Sequence, residues 1–130
     1  MRKMTVRKFI DVVAGAMVGL ISFDAETVAA VKFKKLTGEQ IRAKFSGMEL
    51  TDEIHWVEYY EVNGKVTAVE LNQMKAGKWW IQNHQLCTDY GKDGGRNCYD
   101  VWLSGNSVEL RNALNYSPVE GILRRPEKRR

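Results

Sequence analysis

Two cysteines and a set of aromatic side chains are the residues of this chain whose types and spacing could do chemistry. The segment "KWWIQNHQLCTDYGKDGGRNCYDVW", residues 78–102, holds Cys87, Cys98, His84, Trp79, Trp80 and Trp102. Such a stretch could be a metal site, a redox dithiol, a sugar-binding surface or a stapled hairpin. A redox dithiol usually shows C-x-x-C at a helix start, where the thiolate is stabilised; both cysteines here fall in strand-like sequence. A structural zinc ion takes four ligands, and His55 and His84 lack ligand spacing relative to the cysteines. Cys87 and Cys98 lie on either side of the Gly-rich turn 91–97, eleven positions apart, so folding that hairpin is expected to set them face to face. In an oxidising compartment the pair is expected to close a disulfide.

The aromatics Trp56, Tyr59, Tyr60, Trp79, Trp80, Tyr90, Tyr99 and Trp102 are the remaining signal. Side chains alternate faces along a strand, so one of Trp79 and Trp80, and one of Tyr59 and Tyr60, is expected inside. Trp56, Tyr59, Trp79, Trp80 and Trp102 form the candidate surface for an apolar ligand, a sugar ring or a partner protein. The competing reading is cross-strand aromatic pairing that only stabilises a sheet. Among the carboxylates, Glu58 or Glu61 with His55 could do acid–base work, and a glycosidase-like pair is conceivable among residues 51–61. Glutamates on the wet face of a sheet are the default expectation. Asp89, Asp93 and Asp100 lack the alternating rhythm of a calcium loop, and no G-x-S-x-G, H-E-x-x-H or phosphate-binding loop occurs. The expectation is no catalytic residue, no metal and no cofactor, hence not an enzyme.

These residues need elements to hold them. "LTGEQIRAKFSG" reads as a helix: Thr37 as N-cap, Gln40 completing a capping box, Leu36 and Ile41 as a hydrophobic staple, and Gly47 as the stop. Beyond Gly47 come short β segments with turn signals at close intervals. Strands are predicted at 54–62, 65–71, 78–82, 85–90, 98–104 and 107–112, with turns at Asn63-Gly64, "MKAG" (74–77), Asn83-His84, 91–97 and Gly105-Asn106. Short connections make neighbours antiparallel. The predicted fold is mainly β: one N-terminal helix, then a six-stranded antiparallel meander forming a small up-and-down barrel or half-barrel.

The termini bound where such a domain would work. Arg2, Lys3, Arg7 and Lys8 precede an apolar run from Val12 to Phe23, then Val28-Ala29-Ala30. That is the layout of a signal peptide cleaved after Ala30, and the run is too short to span a bilayer. A domain over 31–123 and a basic tail over 124–130 would follow, with Pro118–Arg130 loosely held. The tail "RRPEKRR" carries +4, as much as the formal net charge of the whole chain, which leaves a body near neutrality and argues against nucleic-acid binding. The tail could make weak contact with an anionic membrane surface.

"LTGEQIRAKFSGMELTDEIHW", "GKWWIQNHQLC" and "CYDVWLSGNSVEL" together resemble a family of small exported proteins of alphaproteobacteria, chiefly rhizobia, a domain of unknown function. The likeness spans residues 36–123 and implies a helix before a β-rich body with two hairpin cysteines; it implies no site residues. A weaker likeness, in size and architecture, is to secreted β-barrel protease inhibitors of Gram-negative bacteria. The reading is an exported, monomeric, non-enzymatic module of the periplasm or cell envelope, binding a small apolar or sugar-like molecule or an envelope protein. The alternatives are an inhibitor of an envelope hydrolase or protease and, least favoured, a hydrolase.

Overall fold

Turn chemistry and alternating burial set the path of this chain. The computed structural model describes Gly19, residues 32–114 and residues 117–127; apart from Gly19 the expected leader, with its cleavage point, lies outside the described residues, as do the last three residues of the basic tail. A two-residue strand β1 (Lys34–Lys35) leads into helix α1 (Gly38–Phe45). Then come β2 (Met48–Thr51), β3 (Trp56–Tyr60), β4 (Lys65–Glu70), β5 (Gln73–Gln82), β6 (Gln85–Asp89), β7 (Arg96–Ser104), β8 (Ser107–Arg111) and β9 (Val119–Arg124). Strands β2 to β9 follow one another in an antiparallel meander, and β9 pairs back onto β2, closing an 8-strand barrel; β1 is the extra strand, on the edge of β7.

The helix forms where its caps are written. The Thr37 hydroxyl accepts the Gln40 N–H at 3.3 Å, and Gln40 Oε1 accepts the Thr37 N–H at 2.9 Å. Ile41 and Phe45, one turn apart, are fully buried. Gly47 follows with φ +75°, and its N–H turns onto the Tyr60 carbonyl at 2.7 Å to begin β2. The helix plugs one end of the barrel, packing on β2, β5 and β6. Gly38 permits the close approach, since a Cβ there would stand 2.8 Å from Ile81 Cγ2. Its N–H donates to His84 Nδ1 at 2.8 Å, tying the helix start to the β5–β6 turn.

Alternation sorts the side chains. Leu50, Tyr60, Val66, Trp79, Leu86, Val101, Val108, Leu110 and Leu123 point inward and meet Leu36, Ile41 and Phe45 of the helix segment in one core. Phe45, Tyr60 and Trp79 stack edge-to-face in sequence, centroids 5.2 and 5.7 Å apart. The Trp79 indole N–H donates to the Glu61 carbonyl at 2.7 Å, so its burial leaves no unmade bond. The helix-plugged half of the barrel is therefore filled by side chains.

Cys87 and Cys98 are cross-strand partners joined by a disulfide, S–S 2.08 Å, as their placement about the hairpin turn implied. They lie on the outer face, because their neighbours Leu86 and Thr88 point in. Cys87 is nonetheless fully buried, and Trp80 stands opposite it in register.

Three expectations need correction. Two barrel strands and β1 are additional to the six predicted: β2, and β9 where a loosely held segment was expected from Pro118 onward. Leu123 of β9 is buried against Leu50, and burial of that face outweighs the polar look of the segment. The turn expected at 74–77 lies within β5; the chain reverses at Leu71-Asn72, with φ +48° and +64°. Gly77 serves close approach instead, since a Cβ there would run into the Asp89 carbonyl and stand 3.0 Å from the Tyr90 ring. Finally, Asn63-Gly64 closes a hairpin by a three-residue loop, with the Gly64 N–H on the Glu61 carbonyl and Gly64 at φ +91°.

Candidate functional site

The end of the barrel opposite the helix is built differently from the plugged end. On β3, Trp56 and Glu58 share the inward face with Tyr60, two residues apart. A solvated carboxylate was the expectation for Glu58, and the structure overturns it: the side chain lies inside. Glu58 Oε2 accepts the Tyr60 hydroxyl at 3.1 Å and the Tyr90 hydroxyl at 2.8 Å. Burial pushes the Glu58 carboxyl above the usual carboxylate range; the Tyr90 and Tyr60 hydrogen bonds oppose this, Glu70 adds to it, and the Lys75 ammonium opposes it. Burial first, then the Glu58 charge, raises the Tyr60 and Tyr90 hydroxyls well above the ordinary phenol range, so both remain donors. Burial also raises Tyr99, with Glu58 contributing.

Two glycines make room for this arrangement. Tyr90 lies over Gly77, where any side chain would collide with it. Trp56 lies over Gly121 of β9, where a Cβ would stand 3.1 Å from both Trp56 Cη2 and Leu50 Cδ1. Glu58, Trp56, Tyr90 and Tyr99 all face inward here and are only half-buried, which leaves a well open to solvent at this end. Above them Lys75 Nζ pairs with Glu70 Oε2 at 3.6 Å.

The loops around this mouth carry apolar side chains in water. Ile54 is 82% exposed, Leu71 76% and Leu114 86%, with Met74 beside them on β5. Ile54, Trp56 and Leu71 line one shallow groove. Leu71 is the odd residue among the two-residue turns. A type I′ turn needs φ above zero at both centres and favours Asn and Gly; a branched apolar residue there is strained by about 1–2 kcal/mol. Asp52, at the base of the neighbouring loop, accepts the Ile54, His55 and Trp56 N–H groups and the His55 ring. Desolvation works to raise that carboxyl, but these hydrogen bonds outweigh it and hold it well below the usual range. His55 and Asp52 thus brace a loop.

The candidate aromatics do not converge. Trp79 is core, Trp56 is in the well, and Tyr59, Trp80 and Trp102 face outward from three different strands. Arg96 lies 5.1 Å from the Trp80 ring centroid and Arg111 4.1 Å from that of Trp102, so each outer tryptophan already has a cationic neighbour. Glu61 belongs to the loop at the plugged end, away from His55 at the mouth. The His55 ring bonds Asp52 while Glu58 bonds Tyr60 and Tyr90, so neither Glu58 nor Glu61 is hydrogen-bonded to His55 as an acid–base pair. Sequence reasoning passed over Glu58, Tyr90, Ile54 and Leu71 as a group. Glu58 was within reach, because "WVEYY" puts it in phase with Tyr60. Comparison with family models, curated proteins and solved structures finds no match to this chain.

Proposed function

We propose that the protein is an exported, non-enzymatic binding module of the cell envelope, and that it engages a partner protein through the loop end of its barrel. The observation that carries this reading is Leu71. A branched apolar side chain held in water at a strained turn position costs the fold stability and gives it no packing in return; such departures mark function. Ile54 and Leu114 at the same end extend the surface. The disulfide agrees with an oxidising compartment, and the apolar leader read in the sequence supports export. A filled plugged half leaves the inside little suited to storing a sizeable apolar ligand, which moves the binding function to the loops.

Affinity capture from the periplasmic fraction of the native cell tests the reading. The wild-type barrel is expected to retain a partner that Leu71→Asn/Asn72→Gly loses and that Val62→Asn, at the plugged end, keeps. Equal retention by all three proteins would count against it. A projecting turn of this kind also suits entry into the cleft of an envelope hydrolase. Unchanged protease and lysozyme rates at saturating protein would remove that second reading.

A further inference from the structure

The mouth well has a chemistry of its own, and it deepens the binding reading above by naming what enters. The hydrogen bonds that reach Glu58 from described residues both fall on Oε2. Oε1 takes none of them, and no buried side-chain oxygen among the described residues is without a partner, so Oε1 opens to solvent. Around it stand the Glu70 carboxylate, the Lys75 ammonium and tyrosine hydroxyls that carry no charge. Two carboxylates against one ammonium leave the ionised well with a net charge of −1, one positive charge short of neutrality. The aromatic side chains around it are Trp56, seated over Gly121, Tyr90, seated over Gly77, and Tyr99. Nothing basic lines the floor to attract an anion, and a purely apolar head would leave the Glu58 carboxylate desolvated without a partner.

We propose that this well binds a cationic head on an aliphatic stem, an alkylammonium or alkylguanidinium, as a lysine or arginine side chain presents. The head would bond to Glu58 Oε1 by a charge-assisted hydrogen bond, with the aromatic side chains supplying cation–π attraction and cover for the methylenes. This rests on the mouth being the binding face, but its test needs no partner.

The experiment is a titration of the folded, disulfide-bonded protein, followed by the indole and amide resonances. The probes are Nα-acetyl-lysine amide and Nα-acetyl-arginine amide, with n-butylammonium as the free amine. Nα-acetyl-norleucine amide keeps the stem without the charge. The lysine and arginine amides are expected to shift the Trp56 indole saturably while the outward Trp80 indole stays still, and norleucine to shift neither. Glu58→Gln, which keeps an acceptor for both tyrosines, is expected to weaken binding by about tenfold. Lys75→Met, which removes the resident cation, is expected to tighten it severalfold, and this second variant keeps the test open if the first folds poorly. Butylammonium equal to the lysine amide would assign the site to free amines, and tighter binding of the amide would assign it to a protein side chain. Norleucine matching lysine, or Glu58→Gln binding like wild type, would overturn the proposal. In that event capture through Leu71 could still succeed, so the two readings fail separately.

Discussion

The Tyr90 hydroxyl crosses the barrel interior to Glu58 Oε2 at 2.8 Å, although the two residues are 32 positions apart in the chain. This bond joins the β6 end to the middle of β3 and exists because Gly77 has no side chain beneath the Tyr90 ring. It gives the open half of the barrel a polar floor, whereas Phe45, Tyr60 and Trp79 fill the plugged half.

A consequence for pH follows from Glu58. Its folded pKa is raised above the ordinary 4.5, burial being the largest cause. A carboxyl of this kind favours the folded state while protonated. Its contribution is fully present below the unfolded pKa and is lost as pH rises through the folded one. Glu58→Gln removes the titration. The stability of wild type relative to Glu58→Gln, measured by denaturant melts, is expected to fall as pH rises above 4.5, with at most one proton in the slope. A difference independent of pH would place the carboxyl in an ordinary aqueous setting.

Glycine at 77 is required for space. Gly77→Ala drives a methyl group into the Asp89 carbonyl and the Tyr90 ring. A destabilisation of about 1–3 kcal/mol is expected in urea unfolding, with the Tyr90 resonances displaced. Gly121→Ala is expected to act similarly through Trp56, while alanine at Ser107, an exposed strand start, changes little.

Leu71 should oppose stability to binding. Replacing Leu71-Asn72 by Asn-Gly supplies the residues a type I′ turn favours and relieves about 1 kcal/mol of backbone strain. The melting temperature is expected to rise by roughly 4–8 °C for a domain of this size, while partner retention is lost. A fall in melting temperature would mean that Leu71 is held by contacts of its own.

The staple should be felt globally. Reduction, or Cys87→Ala/Cys98→Ala, frees a short loop, and the chain-entropy model puts the cost at about 3 kcal/mol. The melting temperature is expected to drop by roughly 12–24 °C.

Much of this fold was legible because local chemistry and tertiary structure agree. The capping box of α1, the Asn83-His84 and Gly105-Asn106 turns and the facing cysteines are each dictated by residues adjacent in sequence. What escaped was set at a distance. β9 is a strand because Leu123 finds Leu50 and because the barrel has an edge to close, and neither fact is local. The β4–β5 reversal escaped because Leu71 breaks the turn rules, while Gly77, which looks like turn chemistry, answers to Tyr90 instead. The candidate aromatics were split correctly between the faces at Trp79/Trp80 and Tyr59/Tyr60, but their scatter over separate strands depends on register. The well escaped for the same reason: Glu58, Glu70, Lys75 and Tyr90 meet only when the barrel closes.

The central claim is that the loop end is the working face, and one measurement addresses it most directly. A photoreactive amino acid is placed at position 71, and separately at position 62 of the opposite end, in protein exported by its own cell. After irradiation the account expects a covalent adduct of one discrete mass from position 71 and none from position 62. An adduct from position 62 alone, or equal labelling at both ends, would contradict it.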